Sequence, residues 1–160
     1  MKHFIVFVAA LLSAIQLATV ATADEAANEA LARRFYEAFN AHSVAFEDFI
    51  ADDVVDHMPA PGAQPGLPGL KAAMQGFYTG IPDIKLDLDL VLPKGDYVTV
   101  VSTSRGTHTG DFFGVPASGK PVEFHAIDVW LVRNGKLAEA WHIEDMLGLM
   151  AQMSAAGNSQ

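Results

Sequence analysis

The sequence has no cysteine, so no disulfide staples the fold and no lipid-bearing cysteine anchors it; stability has to come from an ordinary apolar core. Basic residues are scarce, ten Lys and Arg against nineteen Asp and Glu. Such an acidic chain repels phosphate backbones and anionic lipid surfaces, which argues against nucleic acid or a membrane as partner. Metal-ligand spacing is missing as well. His57, His108, His125 and His142 occur without an H-x-H or H-E-x-x-H pattern, and period two would put His125 on the face opposite Asp128. No G-x-S-x-G supports an activated serine. The segment Gly114-Val-Pro-Ala-Ser-Gly119-Lys120 has the glycine and lysine spacing of a phosphate-binding loop. Pro121 stands where a Ser or Thr should hold Mg²⁺, and the next residues read as a strand. Neither a metal nor a cofactor is therefore expected.

What is present begins with a tripartite N-terminus. Lys2 and His3 precede an apolar run from Phe4 to Ile15, too short to span a bilayer, and Ala21-Thr22-Ala23 forms an A-x-A cleavage site. Residues 1–23 are thus expected to be a secretory signal peptide, making the protein exported, periplasmic or secreted. A mature chain from Asp24 would lose one Lys and carry a net charge of −10. Residues 24–153 suit one domain, and residues 154–160 have nothing to bury and read as a disordered tail.

Ala27, Leu31, Phe35, Ala38 and Phe39 recur at spacings of three and four, predicting an amphipathic helix over residues 25–41 with Tyr36 beside its apolar stripe. Ser43 could cap a short second helix bearing Val44, Phe46, Phe49 and Ile50. Val54 to Met58 is extended, so only one of Asp56 and His57 can face a given pocket. Residues 59–69 hold four Pro and three Gly and read as a loop. A helix with Leu70, Ala73, Met74 and Phe77 on one face follows and ends at Gly80. Ile84, Leu86, Leu88, Leu90 and Leu92 alternate with polar residues as one strand, Tyr97 to Thr107 is a second, and Met146, Leu149, Met150 and Met153 mark a closing helix. Helices first and antiparallel strands afterwards give an α+β fold, a curved antiparallel sheet with helices on its concave face, enclosing a cone whose open end takes a ligand.

The hairpin Val122 to Asp145 is the informative stretch. Two β-branched and aromatic runs flank Arg133-Asn134-Gly135-Lys136, and Asp128 and His142 sit among apolar neighbours. Buried polar groups of that kind cost roughly 1 to 3 kcal/mol each if unpaired, so they are a pair or serve a ligand. A two-residue Asn134-Gly135 turn would put His142 on the face opposite Asp128. A three-residue loop with Gly135 at positive φ pairs Val132 with Lys136 and Asp128 with Ala140, leaving His142 diagonal to Asp128 on one face with Phe124, Ala126, Trp130 and Ala138. The three-residue loop is the expectation. The outer face, with Ile127, Val129, Leu131 and Trp141, is apolar enough to suggest a homodimer.

Arg105-Gly-Thr-His108-Thr-Gly110, the Gly114 to Lys120 segment, and Asn134-Gly135-Lys136 followed by Trp141-His142 and Asp145 together resemble the SnoaL-like polyketide cyclases (ester cyclases) of the NTF2-like superfamily, across most of the chain after residue 23. The resemblance implies a cone-shaped α+β barrel and metal-free, cofactor-independent acid/base chemistry, an aldol-type ring closure or isomerisation on a small apolar carbonyl compound. It aligns the family's essential Asp with His142, a family His with Asp128 and a pocket Asn with Asp56, so the two acid/base residue types are exchanged here. On this reading His142 is the acid/base and Asp128 its orienting partner. Asp56 or His57, His108, Tyr36, Phe77, Phe124 and Trp130 are candidates to bind substrate. The alternative is a noncatalytic small-molecule-binding cone in which Asp128 and His142 are a satisfied core pair.

Overall fold

The structure is a computed structural model that describes residues 24–154. The signal-peptide segment, residues 1–23, and all of the expected tail except Ser154 lie outside the described residues. Helix α1 covers residues 24–40 and buries Ala32, Phe35, Tyr36 and Phe39, the three-and-four spacing its pattern requires. Ala27 is exposed instead of joining that stripe. Asn28 turns inward in its place, donating to the Gly95 carbonyl at 3.0 Å. The helix ends where His42 takes φ 53° and Ser43 N–H reaches back to the Ala38 carbonyl at 2.9 Å, a left-handed termination made without glycine.

The short second helix does not form. Residues 43–46 are irregular and 47–49 form a turn, and the Ser43 hydroxyl accepts a hydrogen bond from Ala45 N–H at 3.2 Å. Phe46 and Phe49 are still buried, because a turn delivers two aromatic rings to the core as well as a helical face would. Strand β1 runs Ile50–Asp56. Helix α2, Gly66–Gly80, starts four residues earlier than the Pro/Gly-rich composition suggests, with Pro65 as its N-cap. Pro68 falls within the first turn, where its missing N–H leaves no intrahelical bond unmade.

Strands β2 (Lys85–Lys94), β3 (Tyr97–Thr107), β4 (Pro121–Arg133) and β5 (Lys136–Glu144) form an antiparallel meander. Sheet order is β1-β5-β4-β3-β2. The expected all-antiparallel sheet is corrected at one edge, since β1 lies parallel to β5. A bulge between Leu88 and Leu90 also breaks the single apolar face of β2. Leu86, Leu88 and Val91 pack inward, whereas Leu90 and Leu92 face out, about half exposed. Helix α3, Met146–Ser154, closes the chain; Asp145 caps it, its carboxylate accepting from Gly148 N–H at 2.8 Å.

Two clusters fill the concave side. One joins Phe35, Tyr36, Phe46, Val98, Val100, Trp130 and Leu137; the other joins Phe39, Phe77, Tyr78, Phe112, Phe124 and Leu149. The architecture is α+β, with helices on a curved, unclosed five-stranded sheet. Among the described residues no helix is long and apolar enough to cross a membrane.

Candidate active site

The β4–β5 turn decides which side chains meet. Arg133 pairs with Lys136, and both Asn134 (φ 53°) and Gly135 (φ 72°) are left-handed. This is the two-residue turn, in the conformation that matches the twist of the flanking strands, and it corrects the expected three-residue loop. Gly135 has the expected positive φ. Val132 pairs with Leu137 and Leu131 with Glu139, so the extra residue sits inside β5, at Ala138, as a bulge. That bulge shifts the rest of the ladder by one, and Asp128 comes directly opposite His142. The pair shares the inner face through a different device, and as direct neighbours, not diagonal ones.

His142 does not, however, take Asp128 as its partner. Its Nδ1 lies 2.8 Å from a Glu144 carboxylate oxygen and its Nε2 lies 3.0 Å from Asp56 Oδ1. Asp56 Oδ1 also accepts Met58 N–H at 2.8 Å, which fixes the carboxylate against the ring. Clamped between two carboxylates, the imidazole is pushed up to about 9, chiefly by the Glu144 hydrogen bond and against the opposing effect of burial, with Asp56 adding to the rise. It is an imidazolium at neutral pH.

Asp128 has its own support. Tyr36 O–H donates to Asp128 Oδ2 at 2.8 Å, and Trp130 Nε1–H donates to the Tyr36 oxygen at 3.1 Å. Tyr36 and Trp130 are each 2% exposed, so the relay is rigid. Burial raises the Asp128 carboxyl to about 6; the Tyr36 hydrogen bond pulls it down, the Glu144 charge pushes it up and the His142 charge pulls it down. Burial and the Asp128 charge hold the Tyr36 phenol well above its ordinary value, so it stays a donor.

The sequence candidates thus divide. Asp56, Asp128, His142, Tyr36 and Trp130 converge, and Asp56, not His57, is the member of its pair that turns inward. His57 bonds Glu139 at 2.9 Å and stacks on Trp141 with ring centroids 4.1 Å apart, on the outer side of the sheet. Phe77 and Phe124 stack on each other, centroids 5.8 Å apart, in the second cluster. His108 is not at a pocket mouth. It is fully buried against Ser118, whose N–H donates to His108 Nδ1 at 3.3 Å, and its Nε2 has no partner. Glu144 was not among the candidates, although period two from His142 places it on the same face.

Asp128, His142 and Glu144 present ligand-type atoms within 4.8 Å of one another, the set among the described residues that could gather round a metal ion. His57, His108 and His125 do not join it.

Residues 30–153 match the family of SnoaL-like polyketide cyclases. The chain belongs to that family. Its fold agrees with solved members and neighbours. TsrD from Streptomyces laurentii is 28% identical, with a TM-score of 0.74 over 82% of this chain and 97% of its own. A Bacillus cereus protein assigned as a polyketide cyclase is 32% identical, with a TM-score of 0.68 over 77% of each chain. IdmH from Streptomyces antibioticus is 29% identical, with a TM-score of 0.69 over 80% of this chain and 99% of its own. No curated protein matches. A SnoaL-like fold accounts for the cone and for the inward row of β4 and β5 side chains, and membership supports chemistry of the cyclase or isomerase type. Asp128 and His142 each have their own hydrogen-bonding support in this chain.

Proposed function

We propose that this SnoaL-like protein is an exported, metal-free acid/base catalyst acting on a small apolar carbonyl compound, by aldol-type cyclisation or isomerisation. The observation that carries the proposal is the division of labour between two adjacent side chains: Asp128, buried and raised to about 6, and His142, raised to about 9. At neutral pH one is a carboxylate able to accept a proton and the other an imidazolium able to give one, the separation that acid/base catalysis requires. Asp128 takes the proton α to the carbonyl. His142 donates toward the oxygen that gains charge, exchanging its Asp56 contact for the substrate. The roles differ from those suggested by sequence, since Glu144 and Asp56 orient His142, leaving Asp128 free to be the base.

Family membership supports this reading, and the N-terminal pattern of residues 1–23 supports export. The apolar outer face, where Tyr97, Ile127 and Ile143 are each about half exposed or more, supports a homodimer. Deuterium exchange at the methyl group of acetophenone in deuterium oxide tests the chemistry without knowledge of the natural substrate. Exchange faster than buffer and lost in Asp128→Asn is expected; exchange no faster than buffer would reject catalysis and leave a noncatalytic binding cone.

A further inference from the structure

The inner face of the sheet is ruled into rows. Val100, Asp128 and His142 form one; the adjoining row is Leu88, Ser102, Ala126 and Glu144. Ser102 is fully buried, and its hydroxyl has no hydrogen-bond partner. The neighbouring Thr103 points to the opposite face and is fully engaged, donating to Asp89 at 2.6 Å and lying 2.9 Å from His125 Nδ1. On the inner face alone the hydroxyl is left open. An unpartnered buried hydroxyl carries a desolvation cost that alanine would avoid.

Ala126 stands between Ser102 and Glu144 and contributes only a methyl group, so the row is polar at both sides of its smallest side chain. Diagonal neighbours on facing strands are about 7 Å apart at the backbone, which places Ser102 and Asp128 at the separation that a carbonyl oxygen and its adjacent carbon bridge when each touches one side chain.

We infer that the Ser102 hydroxyl is the hydrogen-bond donor for the ligand's carbonyl oxygen, seated over Ala126 beside Asp128. The inference rests on the cone interior being the ligand site proposed above, and it names what that site reads: an oxygen on an otherwise apolar ligand. In the reaction, Asp128 removes the α-proton, the C–H electron pair moves into the new carbon–carbon double bond, and the carbonyl pair moves to oxygen. The enolate oxygen keeps the Ser102 hydrogen bond, the proton resides on Asp128, and nothing is oxidised or reduced.

Acetophenone and ethylbenzene are a matched pair of probes, alike in size and differing in the carbonyl oxygen. Calorimetric titration of the full chain and of Ser102→Ala with both should show the acetophenone preference falling by about fivefold to tenfold in the variant, the worth of one hydrogen bond. Ethylbenzene affinity should be unchanged, and the variant should melt no lower than the parent. An unchanged preference, a lowered melting temperature, or failure of both probes to bind the parent protein would overturn the assignment. The readout is independent of turnover. A Ser102-dependent preference without methyl exchange leaves Ser102 as the oxygen reader and removes the catalytic proposal; exchange with an unchanged preference does the reverse.

Discussion

Replacing Glu144 with Gln isolates the charge that sets the acid of the site. The amide oxygen can still accept from His142 Nδ1, now at 2.8 Å, so the ring keeps its orientation while the Glu144 charge is lost and its hydrogen bond, the largest cause of the raised pKa, becomes a weaker neutral one. Losing one adjacent opposite charge lowers a pKa by about 1 to 2 units, a change of about 1.4 to 2.8 kcal/mol in favour of the neutral ring. His142 is 26% exposed at its side chain, so solvent screening trims that figure without erasing it. Asp56 remains on Nε2 and opposes a full return to ordinary values. NMR titration of the His142 ring protons in Glu144→Gln should therefore give a midpoint clearly below the parent's value of about 9. The linkage has a definite sign. A raised histidine pKa contributes stability that is complete below the unfolded value near ~6.5 and is lost as pH rises through the folded one. Urea unfolding of the parent should thus weaken between those limits, and Glu144→Gln should flatten that slope. A His142 still titrating near the parent value in the variant, or an unaltered pH slope, would refute the electrostatic account.

Tyr36→Phe should raise the Asp128 pKa further above about 6, because the Tyr36 hydrogen bond lowers it, and should destabilise by about 1 to 3 kcal/mol by orphaning Trp130 Nε1; carboxylate titration by NMR and denaturant unfolding read the two effects. Gly135→Ala should cost about 1 kcal/mol in urea unfolding, since residue 135 stands at φ 72° with open space around it. If the outer face is a homodimer interface, analytical ultracentrifugation should show the parent as a dimer and Ile127→Glu as a monomer; a monomeric parent would end the homodimer proposal. Acetophenone exchange should persist in EDTA, and loss restored by one divalent ion would move Asp128, His142 and Glu144 into a metal site.

The architecture was legible because its signals are periodic. Three-and-four spacing marked α1 and α2, alternation marked β2, β-branched and aromatic runs marked β4 and β5, and Asn134-Gly135 marked the hairpin. Errors came where one residue is added without a distinctive type. Ala138 is a bulge that any small residue could make, so the register had to be assigned to a longer turn; the bulge in β2 likewise sends Leu90 and Leu92 outward against their alternation. The turn at residues 43–49 uses aromatic spacing that also fits a helix. At the site, Asp128 and His142 stood out as polar residues in apolar strands, whereas Tyr36 and Asp56 were read as candidates to bind substrate and not as their partners. Tyr36 lies 92 positions from Asp128 and Asp56 lies 86 from His142, contacts that only the folded chain displays. Glu144 is two residues from His142 and could have been found by alternation. Ser102 is unremarkable in sequence and became informative only when its burial and missing partner were seen.

The pH dependence of acetophenone exchange tests the central claim most directly, because it reads the base and the acid in one curve. The account predicts a rate that rises as Asp128 deprotonates through about 6 and falls as His142 loses its proton through about 9. Asp128→Asn should lower the plateau by about 10²- to 10⁴-fold without an early melt, and His142→Ala should remove the alkaline limb. A profile with neither limb, or variants that melt early while their folded fraction exchanges normally, would contradict it and leave Asp128 and His142 as structural groups.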